Sequence, residues 1–128
     1  MYAVELDRSK RLLVISAAQT VTAEEAKMAA QRIREVLQDV APGFHVLADF
    51  RGLQSMDSAA APHIAKMMDA LAEKEVASVT RVIPDPRKDI GLNILSQFHY
   101  GPDVTLTTFE TLADAVQSIA AKADSSPA

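Results

Sequence analysis

The chain has 128 residues, with 13 lysines and arginines, 17 aspartates and glutamates and 48% hydrophobic residues, the make-up of a single soluble folded domain. Its net charge of −4 argues against a grip on nucleic-acid phosphates. With no cysteine it excludes disulfides, thiolate metal sites and thiol catalysis, and no apolar run approaches the roughly 18 residues that a membrane span needs. The first eight residues, Met1 to Arg8, lack a basic segment followed by an apolar one, so no secretory leader is expected and the cytoplasm is the default address. One peculiarity remains: 22 alanines, no tryptophan and only 5% aromatic residues.

In chain order, Tyr2–Asp7 alternates weakly and Arg11–Ala17 contains Leu12-Leu13-Val14-Ile15, two short runs around a polar Arg8-Ser9-Lys10 that predict a β-hairpin. Thr22 opens a helix, with Glu25 three residues on to complete a capping box. Ala26, Ala29, Ile33, Val36, Leu37 and Val40 give that helix one apolar face, and Pro42-Gly43 ends it. Phe44–Phe50 is too apolar for a surface strand and predicts a buried one. Arg51 to Ser58 then reads as a polar loop. Ile64, Met67, Met68 and Leu71 mark a second amphipathic helix, whose start is fixed either by Ser58 as cap or by Pro62 at the first helical position.

Ser78–Ile83 predicts a further strand. Asp85-Pro86 opens a third helix with its apolar face at Ile90, Ile94, Leu95 and Phe98, closed by Gly101-Pro102. Val104–Phe109 predicts the last strand. Thr111 caps a last helix, whose face is Leu112, Ala115, Val116, Ile119 and Ala123. The order ββαβαβαβα describes an α/β domain over residues 1–123, a mixed, mostly parallel sheet with helices on both faces. Residues 124–128 are expected to form a flexible tail.

Chemistry-bearing residues gather where such a sheet usually binds ligands, at the carboxyl ends of its strands. Asp49, Arg51, Asp57 and Ser58 follow the third strand, and Asp85 and Arg87 follow the fourth. Backbone N–H groups at a helix start can hold an anion, and arginine suits a carboxylate or phosphate. The same residue types also serve as ordinary helix caps. His45, His63 and His99 show no metal-ligand spacing, so no metal is expected. Ser58 lacks a Gly-x-Ser-x-Gly elbow, and the four glycines form no phosphate-binding loop, so no enzyme and no cofactor are expected.

The stretch Asp49-Phe50-Arg51-Gly52-Leu53-Gln54-Ser55-Met56-Asp57-Ser58-Ala59-Ala60 resembles the SpoIIAA-like superfamily, which includes the STAS domains of anti-sigma-factor antagonists. Such domains carry a strand ending in Asp, a short loop, then an apolar residue before Asp-Ser-Ser/Thr-Gly. Met56-Asp57-Ser58 matches the first part. Ala59 stands where the resemblance places the phosphorylated hydroxyl and Ala60 where it places the glycine, which implies that the classical phospho-serine switch is missing. Ser58 is left as the candidate phosphorylation site. A branch with no defined activity is more similar still, in Asp49-Phe50-Arg51-Gly52-Leu53, in Val82-Ile83-Pro84-Asp85-Pro86 and in the ending from Phe109 to Ala115.

The expectation that follows is a non-enzymatic cytoplasmic domain that works by protein–protein contact, as a homodimer, through the Arg51–Ser58 segment and the second helix. The alternative is a carrier or sensor for a small anionic or lipophilic ligand at the strand ends, with Met56, Met67 and Met68 as adaptable lining. Neither reading involves nucleic acid or an integral membrane segment.

Overall fold

A computed structural model describes residues 1–83, 85, 100 and 104–125. Its elements are β1 (Tyr2–Asp7), β2 (Leu12–Val21), α1 (Ala23–Leu37), β3 (His45–Met56), a short 3-10 turn (Ser58–Ala60), α2 (Ala61–Glu73), β4 (Ser78–Val82), β5 (Thr105–Phe109) and α3 (Leu112–Ser125). The helix expected from Asp85 onward lies outside the described residues. The last helix runs on to Ser125, into the segment expected to be tail.

The five strands lie side by side in chain order, β1-β2-β3-β4-β5. The opening hairpin is antiparallel and every other pair is parallel. Sequential parallel strands joined by crossovers of one hand place their helices on one face. Accordingly α1 packs on α2, and both cover a core with Leu13, Val46 and Val79 on its sheet side and Ala29, Ile33, Leu37, Met67 and Leu71 on its helix side. Ala26, Ala29 and Ala30 are buried, and their small side chains let α1 approach the sheet closely, which accounts for part of the alanine excess. The other face is covered by α3, where Ala115 meets Leu47 and Val82, flanked by Val14, Phe109 and Ile119.

Local signals explain the helix ends. Thr22 Oγ1 accepts the Glu25 N–H at 3.1 Å, which makes half of the capping box, while the Glu25 carboxylate pairs with the Met1 amino group instead of closing the other half. The start of the second helix differs by one residue from both candidates: the cap is Asp57 rather than Ser58, and α2 begins at Ala61, one residue before Pro62. Asp57 caps the 3-10 turn, Ala59 N–H donating to its Oδ1 at 3.0 Å, and Pro62 sits in the first turn of α2.

Two expectations need correction. The segment 51–56 is not a loop: β3 continues to Met56, and β2 continues past Ala17 to Val21 beside it. The pairing slips twice, between Ser16 and Ala18 and between Gln19 and Thr20, each slip leaving one extra residue on β3. This two-stranded ribbon projects past the sheet, with Val21, Leu53 and Met56 turned to the core and Arg51, Gly52, Gln54 and Ser55 exposed, and the two slips break the regular alternation that would have marked it as a strand. Gly52 suits the close approach of the strands there, since a Cβ at this position would lie a tight 3.1 Å from the Ala18 Cβ. The second correction is Val116. Placed on the core face by periodicity, it is 49% exposed, because the neighbouring Ala115 fills the contact with the sheet.

Candidate functional site

The residues singled out from the sequence fall into separate places. Asp49 and Arg51 form a closed pair: Arg51 Nε donates to Asp49 Oδ1 and its terminal nitrogen to Oδ2, both at 2.9 Å, and Arg51 N–H adds a contact to Oδ1 at 3.1 Å. This bidentate fork uses both carboxylate oxygens. The hydrogen bond from Arg51 holds the Asp49 carboxyl below its ordinary range, and the same bond raises the guanidinium. Both residues line an open groove of about 580 Å³ beside Met1, Ser16 and Ala18. An arginine so engaged offers little to an external anion.

Asp57 and Ser58 stand at the far end of the ribbon, separated from the pair by residues 52–56 of β3. Asp57 N–H donates to the Val21 carbonyl at 2.9 Å, and Ala60 N–H to the Asp57 carbonyl at 2.9 Å. Ala61, the first residue of α2, donates its N–H to the Ser58 carbonyl, so the turn is fastened to β2 on one side and to α2 on the other. Asp57, Ser58 and Ala59 are all exposed, while Ala60 is fully buried beneath them. Asp85 is half-buried just after β4, and Arg87 lies outside the described residues.

Two features escaped the sequence reading. Arg81 is 4% exposed in β4, on the face covered by α1 and α2, and donates to Thr108 Oγ1 at 2.8 Å on the neighbouring strand. It borders a small apolar cavity of about 70 Å³, lined also by Ile15, Met67, Met68, Leu71 and Tyr100. Burial pushes the Tyr100 phenol well above its ordinary range, against the opposing effect of the Arg81 charge. The signal was a lone charge inside the apolar run 78–83. The second feature is a pair on the α3 face, His45 Nδ1 at 2.6 Å from Ser78 Oγ. These residues begin β3 and β4 and are direct partners in the parallel register, a relation visible only once the strand order is known.

No helix among the described residues is long and apolar enough to cross a membrane. No protein-family model matches the chain, and no curated protein is significantly similar to it. Solved structures do match over nearly the whole length. The crystal structure of an uncharacterized protein of the DUF3478 family from Shewanella loihica, described as having a SpoIIAA-like fold, aligns with a TM-score of 0.71 at 20% identity, covering 92% of this chain and 93% of that one. The fold is SpoIIAA-like. The anti-sigma factor antagonist SpoIIAA in its unphosphorylated form aligns with a TM-score of 0.64 at 17% identity, over 94% of this chain and 98% of that one. An anti-sigma factor antagonist from Mycobacterium paratuberculosis gives 0.59 at 18% identity, over 94% and 95%. Within the SpoIIAA-like fold, the Asp57–Ser58 turn occupies the junction of β3 and α2 that the sequence resemblance had marked.

Proposed function

We propose that this protein is a non-enzymatic, cytoplasmic regulatory domain that acts by binding a protein partner, and that it works as a homodimer. The observation that carries the reading is the Asp57–Ser58–Ala59 turn, exposed at the start of α2 yet fastened by backbone bonds to β2 and α2. A rigid, solvent-facing polar turn can engage a partner with little ordering cost. Two of the solved structures with this fold are described as anti-sigma factor antagonists, which supports a regulatory role of the same kind. With Ala59 at the position of the phosphorylated hydroxyl, binding here is not switched in the classical way; Ser58 is the hydroxyl left to modify.

The test is a pull-down comparing wild type with the Asp57→Lys, Ser58→Glu double variant, alongside Asp57→Asn, which keeps the cap. The reading expects the double variant to lose its partners and Asp57→Asn to keep them. Partners bound equally well by the double variant would refute it. Native mass spectrometry of the same samples reads the homodimer directly, and a monomer at working concentration removes that part.

The carrier alternative has one observation in its favour, the apolar cavity beside Arg81. Its volume of about 70 Å³ is well below the roughly 150 Å³ of an engineered cavity that accepts benzene, which ranks it second. A thermal-shift screen with fatty acids, phospholipids and nucleotides tests it, since a ligand specific to the folded state raises the melting temperature. A flat screen would remove the alternative.

A further inference from the structure

At the opposite end of the sheet, where the parallel strands begin, the β1–β2 turn, the start of β3 and the outer side of α3 enclose a groove of about 540 Å³. That size lies within the roughly 300–1,000 Å³ of small-molecule sites. Its floor is apolar, made by Leu12, Leu47, Val116 and Ile119, and its rim carries Lys10, Arg11 and His45. No carboxylate lines it among the described residues, although the chain as a whole is acidic. Val116, out of place for a core residue, is exposed into this groove.

The Arg11 cation of the rim is held in place. The Arg11 guanidinium donates to the Pro42 carbonyl, a neutral partner that leaves its charge uncompensated there. Gly43, at φ +86°, leaves the space that the guanidinium uses: a Cβ on residue 43 would lie 3.2 Å from an Arg11 terminal nitrogen. Lys10 reaches Asp7 only at 4.0 Å, on the exposed side of the turn. Burial holds the His45 imidazole below its ordinary range, and Lys122 and then Arg11 add to that, so the local potential is positive. An apolar floor with a cationic rim is complementary to an apolar body carrying an acid group. A solvated lysine or arginine needs no such floor, and a purely apolar ligand needs no such rim.

We propose that this groove binds a small amphipathic carboxylic acid, its carboxylate held by Lys10 and Arg11 and its hydrocarbon chain laid on Leu12, Leu47, Val116 and Ile119. The site is on the far edge of the sheet from the Asp57–Ser58 turn and does not depend on the partner-binding reading.

The experiment is an amide-shift titration of the full chain with octanoate, octanol and acetate, up to about 5 mM each. Octanoate should shift residues 9–12, 43–47 and 116–120, and octanol and acetate should bind about tenfold more weakly, each lacking one half of the recognition. The Lys10→Gln, Arg11→Gln double variant should weaken octanoate about tenfold while leaving octanol unchanged. Val116→Asp should abolish octanoate binding, and Ala120→Glu, at an exposed position of the same rim, provides the same test if Val116→Asp does not fold. No octanoate binding, octanol binding as tight as octanoate, shifts confined to Met67–Leu71, or rim variants that bind like wild type would each overturn the proposal.

Discussion

Replacing Ser78 by alanine tests how the amino-terminal end of the sheet is held. Ser78 is 2% exposed and its hydroxyl lies 2.6 Å from His45 Nδ1, the pair bridging β3 and β4 at their first paired residues. Alanine fits the space, so the cost is the lost hydrogen bond, a net of about 1 kcal/mol. The imidazole is half-buried and keeps some contact with water, which holds the loss below that of a fully orphaned group. Unfolding entropy near 60 °C is about 2.1 cal/mol/K per residue, so a chain of this length carries about 270 cal/mol/K, and 1 kcal/mol lowers Tm by about 4 °C. Thermal melting followed by circular dichroism at pH 8, with the imidazole neutral, measures it. The companion measurement is Ser78→Ala in a His45→Ala background, where most of the penalty should vanish. A single variant melting within about 1 °C of wild type, or an equal penalty without His45, would refute the reasoning.

His45 should titrate below the ordinary imidazole value, and Lys122→Gln should raise its pKa more than Arg11→Gln does, both read from its ring proton shifts. Because the folded pKa is lowered, His45 leaves stability intact above an ordinary value of about 6.5, and stability falls as pH drops from there through the lowered value. Asp49→Asn should cost less than about 1 kcal/mol at pH 7, since Arg51 is half exposed. That cost should disappear in acid, because a lowered carboxyl pKa contributes above the ordinary value of about 4 and loses its contribution as pH falls through the folded one; urea titrations at pH 7 and pH 2.5 compare the two. Asp57→Ala should cost about 1 kcal/mol in urea unfolding as a lost cap, with Asp57→Asn and Ser58→Ala near wild type. Gly52→Ala should cost about 1 kcal/mol through its close approach to Ala18, and Ala18→Gly in the same chain should restore most of it.

Much of the architecture was legible in the sequence because periodicity and caps agreed. The face Ala26–Ala29–Ile33–Leu37 is buried as its spacing required, and Thr22 caps its helix as expected, while the cap before α2 is Asp57, one residue ahead of the expected Ser58. What stayed hidden depends on relations between distant residues. The ribbon of residues 18–21 and 52–56 turns only Val21, Leu53 and Met56 to the core, and its two slips in register break their alternation, so its polar composition read as a loop. Val116 satisfies the helical period but loses its place to Ala115. Arg81 and the His45–Ser78 pair acquire meaning only from the register of β3, β4 and β5. The candidate site was legible as a set of residues and illegible as geometry: Asp49 and Arg51 neutralise each other, and the Asp57–Ser58 turn stands apart from them.

The ribbon has a consequence for any enzyme that would modify Ser58. The turn holding this serine is fastened by Val21 of β2, which accepts the Asp57 N–H, and by Asp57, which accepts the Ala59 N–H. A synthetic peptide of residues 52–62 keeps the Asp57 cap but lacks Val21, so it holds the turn less firmly. A modifying enzyme that recognised the fastened turn would act on the folded domain better than on such a peptide, and a consensus derived from short peptides would pass this serine by. The domain's folded state would itself be the recognition signal.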